Sequence, residues 1–224
     1  MPKRIKMKGP LIPNNSQEAY DYFGMEAVSA KSITDAFPED NSDIVLEVNS
    51  NGGLVTVGSE IYTALKSYPG HITVEVTGMA ASAASVAIMG ADKILISPTA
   101  QIMIHKALFH WVSGNSDDLD KASNALKASD QAIVNAYVAK TGLEESVIID
   151  MMKNETFMSA SEAVEKGFAD EVMTFNDVGA VASMENGLLP QAVIDDFYAN
   201  RSKRKSEIEN MLREIEKEEI LQGL

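Results

Sequence analysis

The chain has 224 residues, of which 45% are apolar and none is cysteine, and its formal net charge is −14. This length can bury one hydrophobic core and carry a small appendage. No apolar run reaches the roughly 18 residues of a membrane span, and no apolar stretch of a secretory signal follows the charged start. The lack of cysteine excludes disulfides, and the acidic body argues against a nucleic-acid-binding protein. We therefore expect a cytoplasmic protein with no membrane or nucleic-acid partner.

Strand and helix patterns alternate along the first 175 residues. Apolar runs typical of strands occupy residues 3–11, 44–48, 72–76, 93–97 and 102–105. Helical patterns occupy residues 29–37, 56–67, 86–89, 116–142, 144–153 and 159–167. Alternation of this kind predicts an α/β fold.

Capping residues mark the starts of two of these helices. Ser116 is expected to cap the long helix, with Asp117 and Asp118 in its first turn, where the helix dipole favours acidic groups. Ser159 and Glu162 form a capping box before the last of the helices. The predicted buried stripe of the long helix consists of Leu119, Ala122, Leu126, Ile133, Val134 and Tyr137.

An apolar cluster precedes the long helix in what would otherwise be a loop. It consists of Leu108, Phe109, Trp111 and Val112. Such a cluster indicates either a contact surface or burial within the subunit, and the sequence leaves both open.

Residues 78–85, GMAASAAS, are the most informative stretch. They lie between a strand-like and a helix-like run, so Ser82 is predicted on a strand-to-helix turn. Glycine permits a sharp turn there, and alanines let a substrate backbone approach closely. The Ser82 hydroxyl would lie beside free N–H groups at a helix N-terminus, a setting suited to an oxyanion. Small-residue turns also occur where close packing alone requires them. The catalytic interpretation of this motif therefore needs support from the rest of the chain.

Two other segments supply the remaining parts of acyl transfer. His105 ends an apolar stretch 23 residues after Ser82. The strand at 44–48 runs into NSNGG at 49–53, where two glycines suit a loop whose N–H groups point at a ligand. A nucleophile, a base and a donor loop together predict acyl-transfer chemistry.

Other candidates are weaker. Ser85, one helical turn past Ser82, is an alternative nucleophile; His110 is interpreted as a surface or interface histidine, and His71 as a turn residue. Three scattered histidines without cysteine offer no metal site, and the carboxylates follow no calcium-loop pattern. No metal or cofactor is expected.

Four motifs in the right order and at similar spacing resemble those of the Clp-type serine protease proteolytic subunit. They are NSNGG at 49–53, GMAAS at 78–82, MIH at 103–105 and FMSASEAVEKGFAD at 157–170. The resemblance covers about residues 5–175. It implies a crotonase-like superhelix of repeated ββα units.

The resemblance also implies the roles of individual residues. Ser82 matches the nucleophile and His105 the general base. The N–H groups of Gly53 and Ala83 match the oxyanion hole, and Gly52 and Gly53 belong to the substrate-binding loop.

The third triad member departs from the family pattern. An aspartate two residues before the phenylalanine of the last motif is replaced here by Glu155. A glutamate can orient an imidazole as an aspartate does. Asp150, five residues earlier, is the alternative.

The implied function is that of a serine endopeptidase. The family's subunits form seven-membered rings that stack in pairs through the region after the base, here residues 106–116 and the long helix. The alternatives are a catalytically silent ring-forming assembly protein and, less consistent with Ser82 and His105, an acyl-CoA enzyme of the crotonase fold.

The start of the chain resembles one branch of this family. Residues 12–16, IPNNS, and 20–24, YDYFG, look like the Clp-related head-maturation (prohead) proteases of tailed phages. The few residues before the first strand also differ from the longer axial segment of bacterial subunits. This predicts cleavage of capsid or scaffold proteins in a bacterial host cytoplasm. The alternative is a cellular subunit working with an ATPase unfoldase.

Residues 176–224 lie beyond the resemblance. A Gly/Ala/Ser-rich linker at 176–187 is followed by the basic cluster RSKRK at 201–205 and by a helical pattern with Ile208, Met211, Leu212 and Ile215 on one face. The predicted organisation is a protease domain at 1–175 and a linker with an amphipathic helical tail at 176–224. The tail is interpreted either as a solvated helix or as a docking helix for a partner.

Overall fold

A largely parallel sheet forms the centre of the protein in a computed structural model, which describes residues 2–175. In that range its strands are β1 (Lys3–Lys8), β2 (Ile44–Ser50), β3 (Ile72–Ala81), β4 (Lys93–Ile96), β5 (Gln101–Ile104), β6 (Thr156–Ser159) and β7 (Glu171–Val172). Strands β1, β2, β3, β4 and β7 lie side by side in that order, all parallel. The α/β class predicted from the sequence is confirmed.

Helices connect these strands. They are α1 (Gln17–Tyr22), α2 (Ala30–Thr34), α3 (Val55–Ser67), α4 (Ala83–Ile88), α5 (Ser116–Thr141), α6 (Glu145–Lys153) and α7 (Ala160–Glu165), with a short 3-10 turn at Asn14–Ser16 before α1. All of them belong to one compact unit, Met1–Phe175. The linker, basic cluster and amphipathic helix predicted for 176–224 lie outside the described residues.

Strand β3 pairs with different neighbours along its length. Its first half pairs with β4, from Thr73 to Val76, and its last three residues, 79–81, pair with β5. Strand β5 in turn pairs antiparallel with β6. The ends of β3 and β5 and the start of β6 therefore meet in one region.

Burial alternates along the parallel strands, so the core lies mainly on one face of the sheet, where Leu46, Val74 and Ile94 are fully buried. The other face carries partly exposed ion pairs of Arg4 with Glu47 and Glu75. Helix α3 packs closely on α4 because position 58 has no side chain: a Cβ on Gly58 would lie 2.5 Å from the carbonyl oxygen of Ala83. This contact holds the first residue of α4 against α3.

Several boundaries differ from the prediction, and three of these differences have a clear physical reason. Strand β1 ends at Lys8 and not at residue 11, because Gly9 turns the chain with a φ of +82°. Strand β3 continues to Ala81, since pairing with β5 supplies partners for the small residues 79–81. Asn115, not Ser116, caps α5, because its side chain and that of Asp118 form a reciprocal capping box.

Burial along α5 is narrower than predicted. Ile133, Val134 and Tyr137 are buried, whereas Leu119 is 50% exposed. The cluster before the helix is also exposed, with Trp111 at 95%. The alternative that this cluster is buried within the subunit is therefore wrong. Within residues 2–175, no helix has the length and apolar character needed to cross a membrane.

Candidate active site

Ser82 lies on the turn between β3 and α4 that the sequence predicts. Its backbone has a φ of 54° and a ψ of −127°, a conformation that costs a non-glycine residue about 1–3 kcal/mol. Its N–H donates to the carbonyl oxygen of Met103 at 2.9 Å, which ties the turn to β5. Within residues 2–175, Asn41, Ser82 and Glu155 are the non-glycine residues with positive φ. Two of these three are predicted site residues, which fits the tendency of strain to collect at functional sites.

His105 comes to Ser82 through the pairing of two strands. Ala81 pairs with Met103 in the β3–β5 ladder, so the residue that follows β5 lies beside the turn. The His105 Nε2 atom is 2.6 Å from the Ser82 Oγ atom, and both side chains are partly buried. This distance allows a proton to pass from the hydroxyl to the imidazole.

Two backbone N–H groups beside Ser82 have no partner among the described residues. They belong to Gly53 and to Ala83, the first residue of α4, and both residues line the cleft described below. Free N–H groups that converge near a nucleophile can stabilise an oxyanion.

The Gly52-Gly53 loop needs both glycines. A Cβ on Gly52 would lie 2.7 Å from the Cβ of Ser82, and one on Gly53 would lie 2.3 Å from the carbonyl oxygen of Leu11. Leu11 holds the loop through two backbone hydrogen bonds, to Gly52 and from Leu54. Because both bonds use the neighbours of Gly53, the N–H of Gly53 itself points away from Leu11. No side-chain signal in the sequence indicates this role of Leu11.

The structure does not join Glu155 to the Ser82–His105 pair. Ile104 pairs with Thr156 at the end of the β5–β6 ladder, so Glu155 occupies the next position opposite His105. Its side chain is exposed, however, and no hydrogen bond or ion pair connects it to the imidazole. Its φ of 47° belongs to the tight connection between α6 and β6. The role of Glu155 stays a prediction.

The alternative candidates occupy other environments. Asp150 is exposed on α6 and has no side-chain partner in the described part of the chain. Ser85 is fully buried, with its hydroxyl bonded to Ser82 and Tyr137. His110 is exposed at the mouth of the cleft, and His71 lies 3.6 Å from Asp92 at the start of β3.

A cleft of about 660 Å³ opens beside these residues. Its lining includes Ser82, His105, Gly53 and Ala83 together with the apolar residues Val86, Leu126 and Ile133. Leu108 and Phe109 form part of one wall. Among residues 2–175 no group of three or more histidine or acidic side chains is placed to hold a metal ion.

One contact beside His105 has no signal in the sequence. Asp130 on α5 accepts the Ala107 N–H at 2.8 Å and lies 3.2 Å from the Lys106 Nζ atom. These contacts hold Lys106 and Ala107, the residues after His105, against α5. Asp130 and Ala107 are 23 residues apart, so no local pattern could reveal their hydrogen bond.

Comparisons with known proteins agree with this geometry. The family model for Clp protease matches residues 27–176. The ATP-dependent Clp protease proteolytic subunit 1 of Chlamydia trachomatis serovar D is 32% identical over 168 residues, which cover 70% of this chain and 88% of the relative. The corresponding protein of Chlamydia abortus is 31% identical over 180 residues, 75% of this chain and 94% of the relative. The ATP-dependent Clp protease proteolytic subunit of Cycas taitungensis is 34% identical over 141 residues, 62% of this chain and 72% of the relative.

A serine and a histidine in contact within the cleft of an α/β protein are the pair expected of a serine hydrolase. With the family match, this chain belongs to the Clp protease family and is a serine-type endopeptidase with the crotonase-like fold of that family.

Proposed function

We propose that the protein cleaves peptide bonds with Ser82 as nucleophile and His105 as general base. The observation that carries this is the 2.6 Å contact between Ser82 Oγ and His105 Nε2 at a strained strand-to-helix turn. An unassisted serine hydroxyl attacks an amide poorly, so the base must take its proton as the bond forms. His105 then gives that proton to the leaving amine, and water hydrolyses the acyl-enzyme on Ser82.

The oxyanion of the tetrahedral intermediate is stabilised by the N–H groups of Gly53 and Ala83. Their freedom from other partners among the described residues supports this assignment. Loss of one such donor typically costs about 3–4 kcal/mol of transition-state stabilisation.

Glu155 orients His105 and balances the charge of the imidazolium. Its place opposite His105 in the β5–β6 register supports this role. The carboxylate must turn toward the imidazole Nδ1 atom to do so, a side-chain movement that its exposure permits. Asp150 is less suitable because it lies on α6, several residues before β6.

An extended substrate adds as a strand along the Gly52-Gly53 loop. Leu11 already occupies one edge of this loop, and the Gly53 N–H faces the other. Backbone pairing supplies affinity that tolerates many sequences, and the apolar cleft favours an apolar residue next to the cleaved bond.

A fluorophosphonate probe tests the nucleophile. The wild-type protein should be labelled on Ser82, and Ser82→Ala should abolish both labelling and hydrolysis of a peptide ester. Ser161→Ala, which removes an exposed serine on α7, is the matched control and should react as wild type. Full labelling of Ser82→Ala, or loss of labelling in Ser85→Ala alone, would contradict the assignment.

The biological setting that we propose is maturation of a phage head by cleavage of capsid or scaffold proteins. The segments at 12–16 and 20–24, which precede the matched range, support it. The second candidate is a cellular subunit that works with an ATPase, which the names of the relatives favour. Portal and capsid genes beside this gene would support the first setting, and a chaperone ATPase gene would support the second.

Assembly into a ring, with two rings stacked, is part of the same proposal. Leu108, Phe109, Trp111 and Val112 leave a large apolar surface exposed on the single chain. A surface of this kind usually contacts another protein. A silent ring-forming protein is the less favoured alternative, because such a protein has no need of the Ser82–His105 contact.

A further inference from the structure

A short relay of buried hydroxyl groups lies behind Ser82. The Ser85 Oγ atom is 2.6 Å from the carbonyl oxygen of Ser82 and 2.8 Å from the phenol oxygen of Tyr137. Ser85 and Tyr137 both have 0% relative exposure. The proposed mechanism uses neither hydroxyl.

Chemistry fixes the direction of both hydrogen bonds. A carbonyl oxygen only accepts, so Ser85 donates its single hydroxyl hydrogen to Ser82. Tyr137 must then donate to Ser85. Burial raises the pKa of Tyr137 well above its ordinary value, which keeps this phenol protonated and able to donate.

The carbonyl at the end of the relay shares a peptide unit with the N–H of Ala83. A peptide unit is planar, so the orientation of the Ser82 carbonyl sets the direction of the Ala83 N–H. A hydrogen bond to the carbonyl also polarises the amide and strengthens its N–H as a donor. The relay therefore acts on one of the two free N–H groups of the cleft.

Helix α4 does not need the relay in order to form. The Ser82 carbonyl already accepts from the N–H groups of Ser85 at 3.0 Å and Val86 at 3.3 Å, as a carbonyl at a helix start does. Alanine at 85 and phenylalanine at 137 would fill nearly the same space without buried hydroxyls to satisfy. Within residues 2–175, and apart from the hydrogen bond between them, the hydroxyls of Ser85 and Tyr137 have one acceptor, the carbonyl oxygen of Ser82.

We propose that Tyr137 and Ser85 are positioning residues for the oxyanion hole, which orient and polarise the Ser82–Ala83 peptide. This inference rests on the proposed function, in which the Ala83 N–H is an oxyanion donor. Contacts that strengthen as charge develops lower the activation barrier without tightening substrate binding. Loss of the relay should therefore lower kcat about tenfold and leave KM unchanged, a smaller loss than the roughly 10²–10³-fold for a missing donor.

The test compares Tyr137→Phe, Ser85→Ala and the double variant in the full-length protein. The probes are a fluorogenic tripeptide ester with an apolar residue at the cleaved bond, and the matching peptide aldehyde, whose hemiacetal oxygen enters the oxyanion hole. Ser85→Ala should lose about tenfold in kcat and in aldehyde affinity, with KM unchanged. Tyr137→Phe should lose less, about two- to threefold in both, because Ser85 still donates to the Ser82 carbonyl but is no longer polarised by the phenol. Tyr68→Phe is the matched control, because the Tyr68 phenol donates to the Ser42 carbonyl at 2.7 Å. It should keep wild-type kinetics.

The double variant separates positioning from simple stability. Ser85→Ala leaves the buried Tyr137 phenol without an acceptor, so its melting temperature should fall. The double variant removes both hydroxyls and should recover much of that loss. Its kcat should stay low, because the Ser82 peptide still lacks its hydroxyl donor.

Recovery of kcat together with the melting temperature, or unchanged aldehyde affinity in the single variants, would show a purely structural pair and overturn the inference. Wild-type protein that neither reacts with the fluorophosphonate nor hydrolyses the ester would overturn the proposed function, and the inference with it. An active wild type with unaffected variants overturns the inference alone.

Discussion

Strain and contact coincide at the residues on which the chemistry is proposed to depend. Ser82 adopts a backbone conformation that few non-glycine residues adopt, and this places its hydroxyl against His105. Glu155 is also held at positive φ, at the point where the β5–β6 ladder ends beside His105. Glycine is the usual residue at a positive φ after a helix, so a glutamate at position 155 raises the conformational energy of the backbone. The proposed role as third triad member gives that cost a reason.

Glu155→Gln should leave the fold intact and lower kcat by roughly 10³- to 10⁴-fold, because a neutral amide no longer supports the required tautomer of His105. Glu155→Asp should retain part of the activity, since it keeps the charge on a shorter side chain. Ester hydrolysis and the melting temperature, measured on the same samples, separate catalysis from stability.

Asp150→Asn is the matched control for the loss of an acidic group near the end of α6. It should hydrolyse the ester at the wild-type rate. Normal turnover in Glu155→Gln combined with an inactive Asp150→Asn would show that the third member is Asp150.

At the scale of elements, close backbone approach positions the site. Helix α3 reaches α4 because Gly58 has no side chain, and the loop after β2 reaches Ser82 because Gly52 has none. The loop is held from its other side by backbone bonds with Leu11. The Gly52-Gly53 loop and the turn at Ser82 are therefore fixed by contacts that a single methyl group would disturb.

Gly52→Ala should lower kcat more than about tenfold, since the new Cβ, 2.7 Å from that of Ser82, must displace the serine from His105. Gly142→Ala is the control, because Gly142 also has a positive φ of +70° but a Cβ at that position would meet no described atom within 4 Å. It should lose about 1–2 kcal/mol of stability and keep its kcat.

Steady-state kinetics and chemical unfolding of both glycine variants distinguish the effect of backbone strain from that of displacing Ser82. Equal kinetic effects in the two variants would mean that backbone strain, and not proximity to Ser82, limits the site.

At the scale of the whole molecule, charge and exposed apolar surface define how the chain meets other proteins. The net charge of −14 disfavours acidic partners over most of the chain, whereas the cluster at 201–205 would attract them. The apolar cluster around Trp111 lies on the wall of the cleft and beyond it, where another subunit could cover it. Under the proposed function, assembly and targeting would thus depend on different parts of the chain.

A chain that ends at residue 175 should keep its assembly and its activity on a small peptide ester, because every matched motif lies before that point. It should lose cleavage of capsid precursors, if the tail targets the enzyme to them. Sedimentation and ester hydrolysis, compared with the full-length protein, measure the first expectation. Dissociation into monomers, or loss of ester hydrolysis, would assign the tail to the core assembly instead.

The sequence by itself determined the α/β class, the family and the segments that meet at the candidate site, because alternating apolar patterns and small-residue motifs are local. It also placed Ser82 on its turn and His105 at a strand end. Asn115 as the cap of α5 and the end of β1 at Lys8 were missed, since neighbouring residues compete for such boundaries.

Only the tertiary structure decided which of these residues meet. The 2.6 Å contact of Ser82 with His105 depends on the register of β3 against β5, which no local pattern specifies. The relay from Tyr137 through Ser85 joins residues 52 positions apart, and the hold of Leu11 on the Gly52-Gly53 loop uses backbone atoms alone. Backbone pairing and long-range packing carry no residue-type signature, and for that physical reason they became visible only in the folded chain.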